Sequence, residues 1–307
     1  MMGNEKMKTY INSSKSGYEE KPFEDKKLQK KKKYFVWEHI LLVLIILFVV
    51  APFSIPLATS FQSEFEANGV MFHLIPEDFT WQAYKDVLFK KMAGTSVLKG
   101  LINTLWIYLP GIIVGLLTSS MAAYSFAKLE FRLKNFMFAV LLGTMMLPNC
   151  MSTIASYLLY DTIGWVNTPW PLMIPRMFGS ISIVFFLKQY YAGIPDDIMG
   201  AAKVDGLGVV GIFFKIMLGL AKPAIFAQFI LSFIGAYNDY MGPLLYLQDA
   251  SMYTLQIALA FFAGVYTQNW PLRMAATVVS MLPLIIMYLC SQRYVLKGLE
   301  IAVSLKG

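Results

Sequence analysis

The sequence holds one dense group of polar side chains where such groups are costly. Tyr237-Asn238-Asp239-Tyr240 interrupts an apolar run from Ala224 to Leu247. Polar and ionisable residues in such runs are expensive and mark functional sites. An amide and a carboxylate flanked by phenols suit the hydroxyls of a sugar, through bidentate hydrogen bonds and ring stacking. The competing reading is that Asn238 and Pro243 maintain a kink in one helix, and the residues alone leave both open. Asn238 lies 16 residues past Lys222, which at about 1.5 Å per residue places it roughly 24 Å along a helix. Arg176 and Gln228 are further candidates for the same lining.

Groups for covalent or acid–base catalysis are scarce. His39 and His73 are the only histidines, one in an N-terminal apolar segment's flank and one in a loop. That supply does not support a His-based metal site or a catalytic triad. Cys150 and Cys290 fall in separate apolar runs and read as packing residues. No G-x-x-x-x-G-K-[ST] loop and no G-x-S-x-G elbow occurs. The run Gly206-Leu207-Gly208-Val209-Val210-Gly211 matches the dinucleotide fingerprint in letters. Its surroundings do not, because that motif needs a preceding strand and an acid about 20 residues on. Gly111 and Gly115 form a G-x-x-x-G, compatible with close helix packing. No catalytic residue, bound cofactor or metal is expected in this chain.

Residues 188–222 are too apolar for a solvated linker and too punctuated for a membrane span. Pro195-Asp196-Asp197 reads as a helix start, with carboxylates complementing the positive end of the helix dipole. Gly206 is suited to end that helix in a left-handed conformation. Ala201 and Ala202 leave a low face that fits a groove. A second amphipathic stretch, Val209–Leu220, leads to Pro223.

The elements that must position these residues are long and apolar. Of 307 residues, 57% are hydrophobic and 15% charged, with mean hydropathy +0.56. Soluble domains run about 45–50% apolar and roughly 25% charged. The excess predicts an all-α membrane protein, since the runs are continuous rather than alternating. Six stretches approach the length of about 20 residues that a bilayer core requires: 40–60, 101–124, 136–157, 169–187, 224–247 and 274–290. Prolines within them predict kinks that a helix bundle tolerates. Placing both termini in the cytoplasm puts 20 of the 26 Lys and Arg on the inner side, as short cytoplasmic loops favour. Residues 1–37 read as a flexible basic tail that touches anionic lipid, not as a nucleic-acid arm, and the net charge of +7 needs no further explanation. The first span reads as retained rather than as a cleaved signal. Residues 38–307 then form the transmembrane domain, with an acidic and aromatic outer loop at 61–99 that predicts a small folded cap.

Several of these motifs resemble one family. Ile194-Pro195, Ala201-Ala202, Asp205-Gly206, Phe213 or Phe214, Ile216 and Lys222-Pro223 are similar to the loop signature of permease subunits of binding-protein-dependent ABC importers. Asn103-Thr104, the run Ala122 to Lys128, Phe131-Arg132, Met145 to Pro148, Asn167-Thr168, Asn238 with Pro243-Leu244, Tyr294-Val295, Gly298 and Lys306-Gly307 are similar to its carbohydrate-uptake branch. The likeness covers about 40–307 and is nearest the smaller, six-span permease of maltose-like systems.

The resemblance implies a type I ABC importer permease architecture in a bacterial-type plasma membrane. A second permease, forming a heterodimer, two cytoplasmic ATPase subunits that use ATP and Mg, and an extracytoplasmic sugar-binding protein would be its partners. Alternating access would be driven through the loop from Ile194 to Lys222. On this likeness Pro195 to Gly206 form the coupling helix, with Ala201 and Ala202 packing closely and Asp205 and Gly206 fixing its end. Family members usually carry Glu where this chain has Gly200, so either another residue such as Asp197 substitutes for that contact or docking to the ATPase is weaker. In the maltose-like case the sugar site lies mostly in the larger partner, and Asn238 would then serve the permease interface. Two rival readings remain: an importer of glycerol phosphate, peptide or amino acid, and, from another class, an intramembrane enzyme.

Overall fold

The computed structural model describes residues 25–69, 73–91, 94–265 and 269–304, with side chains apart from those of 25–36, 149, 150, 263, 265 and 293–304. The tail before Asp25 and the closing Lys306-Gly307 lie outside the described residues, as do the side chains of Cys150, Tyr294 and Val295. The chain divides into two units, residues 1–55 and 56–307. The first holds most of α1 (Asp25–Thr59), whose apolar side chains from Ile40 to Val50 are exposed.

In the second unit α2 (Val97–Lys128) is the central helix. Ser96 caps it, accepting a hydrogen bond from the Lys99 N–H at 3.3 Å, which satisfies one of the first-turn donors that a helix leaves open. One face of α2 is buried through Thr104, Tyr108, Ile112, Gly115, Ser119 and Ala123. The opposite face exposes Ile102, Trp106, Ile113 and Leu117, an apolar exterior suited to lipid. After it come α3 (Lys134–Thr144), α4 (Asn149–Thr162), α5 (Trp170–Met177), α6 (Ile181–Ala192) and α7 (Asp196–Val204). A helical stretch Val209–Leu220, with a π turn at Phe213–Met217, then bends by 74° into α8 (Lys222–Tyr237). The chain continues through α9 (Met241–Tyr246) and α10 (Leu255–Val265) to α11 (Trp270–Ser304), with no strand element among the described residues.

Among the described residues, four segments are long and apolar enough to cross a membrane, Trp37–Thr59, Val97–Lys128, Trp170–Ala192 and Trp270–Gln292, and the bent pair would be a fifth. The third expected span differs, because 136–157 is two helices, α3 and α4, broken at Met145–Pro148. Pro148 disfavours helical geometry in the residue before it, and the N–H groups of Met145, Met146 and Leu147 turn back to carbonyls three residues earlier. The fifth expected span, 224–247, also ends early, at Tyr237. By contrast α2 and α11 run unbroken through Pro110 and Pro283.

The G-x-x-x-G packs as its spacing predicts, and its neighbour is α5. A Cβ on Gly111 would lie 2.9 Å from the Met173 carbonyl oxygen, and one on Gly115 2.1 Å from that of Arg176. Past α5 the chain breaks at Phe178–Ser180, with Gly179 at φ +88°. Side chains of α2 take up the polar groups thus exposed. The Thr118 hydroxyl donates to the Met177 carbonyl at 2.9 Å, and the Ser180 N–H donates to Ser119 Oγ at 3.0 Å. Two buried clusters stand along α2, one around Tyr108, Ile112, Phe233 and Leu255, the other around Tyr124, Leu187, Tyr191 and Met217.

Among the described residues of the 61–99 segment, several aromatic side chains pack on one another and an acidic side chain bonds the backbone. Phe61 stacks on Phe79 at 4.9 Å and meets Trp81 edge-on at 4.9 Å. The Glu66 carboxylate accepts the N–H groups of Glu77 and Asp78 at 3.0 and 3.3 Å. Phe65, expected within this cap, instead points outward and is 91% exposed.

Candidate functional site

The 188–222 loop builds a short helix on a fixed base. Pro195 stands just before α7 in extended conformation, Asp196 and Asp197 occupy its first turn, and Lys203 its last. Gly206 adopts φ +81°, its N–H reaching the Lys203 carbonyl at 3.0 Å while the Leu207 N–H reaches Ala202 at 3.0 Å. That left-handed closure is the ending glycine provides at low cost. Met199 and Ala202 are buried among Tyr191, Ile212 and Phe213. Asp197, Gly200, Ala201 and Val204 are exposed, and their i, i+3, i+4, i+7 spacing sets them along one face. A Cβ on Gly200 would meet nothing within 4 Å. The paired alanines therefore divide, with Ala202 anchoring the helix and only Ala201 on the open face. Asp205, at the C-cap, is also exposed.

Lys128, in the last turn of α2, anchors α7, a contact that residue-by-residue sequence reading does not single out. Its Nζ donates to the Ile194 carbonyl at 2.5 Å and pairs with Asp196 Oδ1 at 2.6 Å, and its side chain is 5% exposed. The sequence signal available was modest: a lysine ending an Ala-rich span. The hydrogen bond and then the charge of Lys128 hold the Asp196 carboxyl below its ordinary value, with Lys203 adding to the effect. A carboxylate whose pKa falls on folding stabilises above its unfolded pKa and stops doing so as pH drops through the folded value. A spin label at Val204 is thus expected to keep constant mobility from about pH 8 to about pH 5 and to loosen only in acid beyond the ordinary carboxylate range. Lys128→Met should remove that transition. Loosening already near neutral pH would contradict the clamp.

The second feature is a cleft of about 620 Å³ between α2, the broken α5–α6 pair and α8. Arg176, Gln228, Ser180, Ser182, Ser232 and Phe185 are on its walls. Irregular backbone at membrane depth is tolerated where it lines such a cavity, and the Phe178–Ser180 break is an instance. Two of the expected pathway residues, Arg176 and Gln228, meet here. The Tyr237 to Tyr240 group does not act as one cluster. Tyr237 is buried and donates to the Ser280 carbonyl at 2.7 Å. Asn238 Nδ2 donates back to the Ile234 carbonyl at 2.9 Å, and Tyr240 lies at the surface. Asp239 alone reaches toward the cleft, through Arg176 Nη2 at 3.2 Å. Because Asn238 is the C-cap of α8, successive side chains leave the helix axis in different directions.

The Gly206–Gly211 run joins α7 to the helix starting at Val209, so the strand-to-helix turn of a dinucleotide site is missing there. Among the described residues, no group of three or more His, Cys, Asp or Glu is arranged to hold a metal.

Residues 111–301, more than half of the chain, match the family described as binding-protein-dependent transport system inner membrane component. The chain belongs to this family. Among the similar proteins, the arabinooligosaccharides transport system permease protein AraQ of Halalkalibacterium halodurans is 35% identical over 205 residues, covering 67% of this chain and 73% of its own. The melibiose/raffinose/stachyose import permease protein MelC of Bacillus subtilis is 30% identical over 251 residues, 81% of this chain and 89% of its own. The fold matches a chain in the crystal structure of a bacterial ABC transporter involved in the import of the acidic polysaccharide alginate, with TM-score 0.74 at 22% identity over 90% of this chain and all of that one. This permease is thus an inner-membrane transport subunit rather than an enzyme in itself. The family match spans the cleft, the α5–α6 break and the Lys128-clamped α7.

Proposed function

We propose that this permease forms one half of the translocation pathway of an ATP-driven sugar importer and receives the power stroke through α7. The observation that carries the reading is the pairing of an open α7 face, Asp197, Gly200, Ala201 and Val204, with a base clamped by Lys128. A helix held rigidly on one side and bare on the other is built to transmit displacement. Two ATPase subunits dock from the cytoplasm, one against this face, and they alone bind ATP and Mg. A second, larger permease completes the pathway, and an extracytoplasmic binding protein delivers sugar to the 61–99 cap. The chain crosses the membrane six times with both termini inside, α3 and α4 together making the third crossing and residues 1–37 the cytoplasmic tail. The names of AraQ and MelC support an oligosaccharide as cargo, as do the neutral hydroxyl and amide groups around the cleft.

The test is sugar-stimulated ATP hydrolysis by the purified complex in lipid, screened against an oligosaccharide panel. One sugar class should stimulate, and Asp205→Arg, at the exposed end of α7, should reduce stimulation about tenfold, the effect of losing one good polar contact. Stimulation unchanged by Asp205→Arg would refute the coupling role. No response to any sugar would transfer the cargo to a non-sugar solute such as glycerol phosphate.

A further inference from the structure

Among the described residues on the cleft wall, Arg176 alone carries a charge. Its side chain is 36% exposed, so it reaches the open space, yet Nη2 donates to Asp239 Oδ2 at 3.2 Å. The guanidinium carbon also lies 4.8 Å from the centre of the Tyr108 ring. Asp239 is itself held on both oxygens. The Tyr108 hydroxyl donates to Oδ2 at 3.0 Å and the Gly242 N–H donates to Oδ1 at 3.0 Å. Gly242 is what lets the chain close on the carboxylate, since a Cβ there would sit 2.9 Å from Oδ2 and 3.0 Å from Leu172 Cδ2. The counter-charge is therefore fixed in place and cannot swing aside for an arriving anion.

Taking the cleft as a sugar path, as proposed above, we infer that the Arg176–Asp239 pair is its charge filter: it admits uncharged polyhydroxylated cargo and disfavours carboxylated or phosphorylated sugars. A carboxylate entering the cleft would shed its water and meet a guanidinium already neutralised, with the Asp239 charge close behind it. An unpaired ion in a low-dielectric site is strongly penalised. Neutral hydroxyls avoid that penalty. They bond to Gln228, Ser180, Ser182 and Ser232, and they can still accept from a guanidinium, which has several N–H donors. The filter needs both partners. With the carboxylate gone, the same arginine becomes an anion receptor, through the charge-assisted bonds that make arginine the usual partner of carboxylate and phosphate.

The experiment measures equilibrium binding of galactotriose and of trigalacturonate to the complete transporter complex in lipid nanodiscs, with the binding protein omitted so that its own selectivity does not intervene. Wild type is expected to prefer the neutral sugar by about tenfold or more, the scale of one charge-assisted interaction. Asp239→Asn keeps the shape and removes the charge. It should move the preference at least about tenfold toward the uronate, with the gain fading as salt is raised. Arg176→Gln combined with Asp239→Asn leaves a neutral pair and should return the preference to the neutral sugar. Neutral-sugar binding with an unshifted ratio in Asp239→Asn overturns the filter while leaving the sugar path intact. Should Asp239→Asn fail to assemble, wild type decides, because uronate binding as tight as neutral binding overturns the filter. Wild type that binds neither this pair nor any neutral oligosaccharide of the panel overturns both the sugar path and the filter built on it.

Discussion

Replacing Gly115 with leucine is expected to lower the unfolding temperature of the permease sharply. A Cβ at this position would lie 2.1 Å from the Arg176 carbonyl oxygen and 3.2 Å from its carbonyl carbon. Both are main-chain atoms of α5, so no side chain can rotate away and the helices must separate. Separation would also strain the bonds by which Thr118 and Ser119 satisfy the Phe178–Ser180 break. Overpacking a tight contact costs about 1–3 kcal/mol and occasionally more, and a clash with backbone belongs at the upper end. Thermal unfolding of the purified protein in detergent provides the measurement. Gly143→Leu is the control, because a Cβ there meets nothing within 4 Å, and surface changes of that kind stay within about 0.5 kcal/mol. Equal unfolding temperatures for the two variants would refute the packing account.

Lys128→Met should separate ATP hydrolysis from transport. The lysine is buried along its stem and joins α2 to α7 through the Ile194 carbonyl and Asp196. Methionine preserves most of the packing and removes both polar contacts. Leaving a carbonyl without its donor costs about 1–3 kcal/mol, enough to shift a two-position helix by roughly one to two orders of magnitude. Sugar uptake in proteoliposomes should fall about tenfold or more, while the assembled complex keeps hydrolysing ATP without regard to sugar. Asp196→Asn should do less, since that carboxylate is 85% exposed and solvent screens such a pair. Lys128→Arg should recover part of the coupling. Parallel loss of hydrolysis and uptake in Lys128→Met would point to failed assembly instead.

The α7 turn was readable residue by residue because its determinants are local: a proline, two carboxylates and a glycine that takes positive φ. The same holds for Gly111 and Gly115, whose spacing alone announces a close neighbour, although nothing local names α5 as that neighbour. What escaped was long-range. Asp239 pairs with Arg176 and Tyr108, far from it in sequence, and no periodicity reports such a meeting. Tyr237 through Tyr240 read as one cluster because adjacency in sequence was taken for adjacency in space, which the end of α8 undoes. The break at Pro148 was readable as a kink, but its severity depends on how Met145 to Leu147 find partners. Lys128 counted as one cytoplasmic charge among many until the fold brought Ile194 and Asp196 to it.

The interruption at Met145–Pro148 bears on how the chain is made. Its two halves have 11 and 14 residues, or about 17 and 21 Å of helix, against a hydrocarbon core of about 30 Å. Neither half is long enough to partition into lipid unaided as it leaves the ribosome. Each half is therefore expected to rely on helices made before or after it for an apolar surface to lean on.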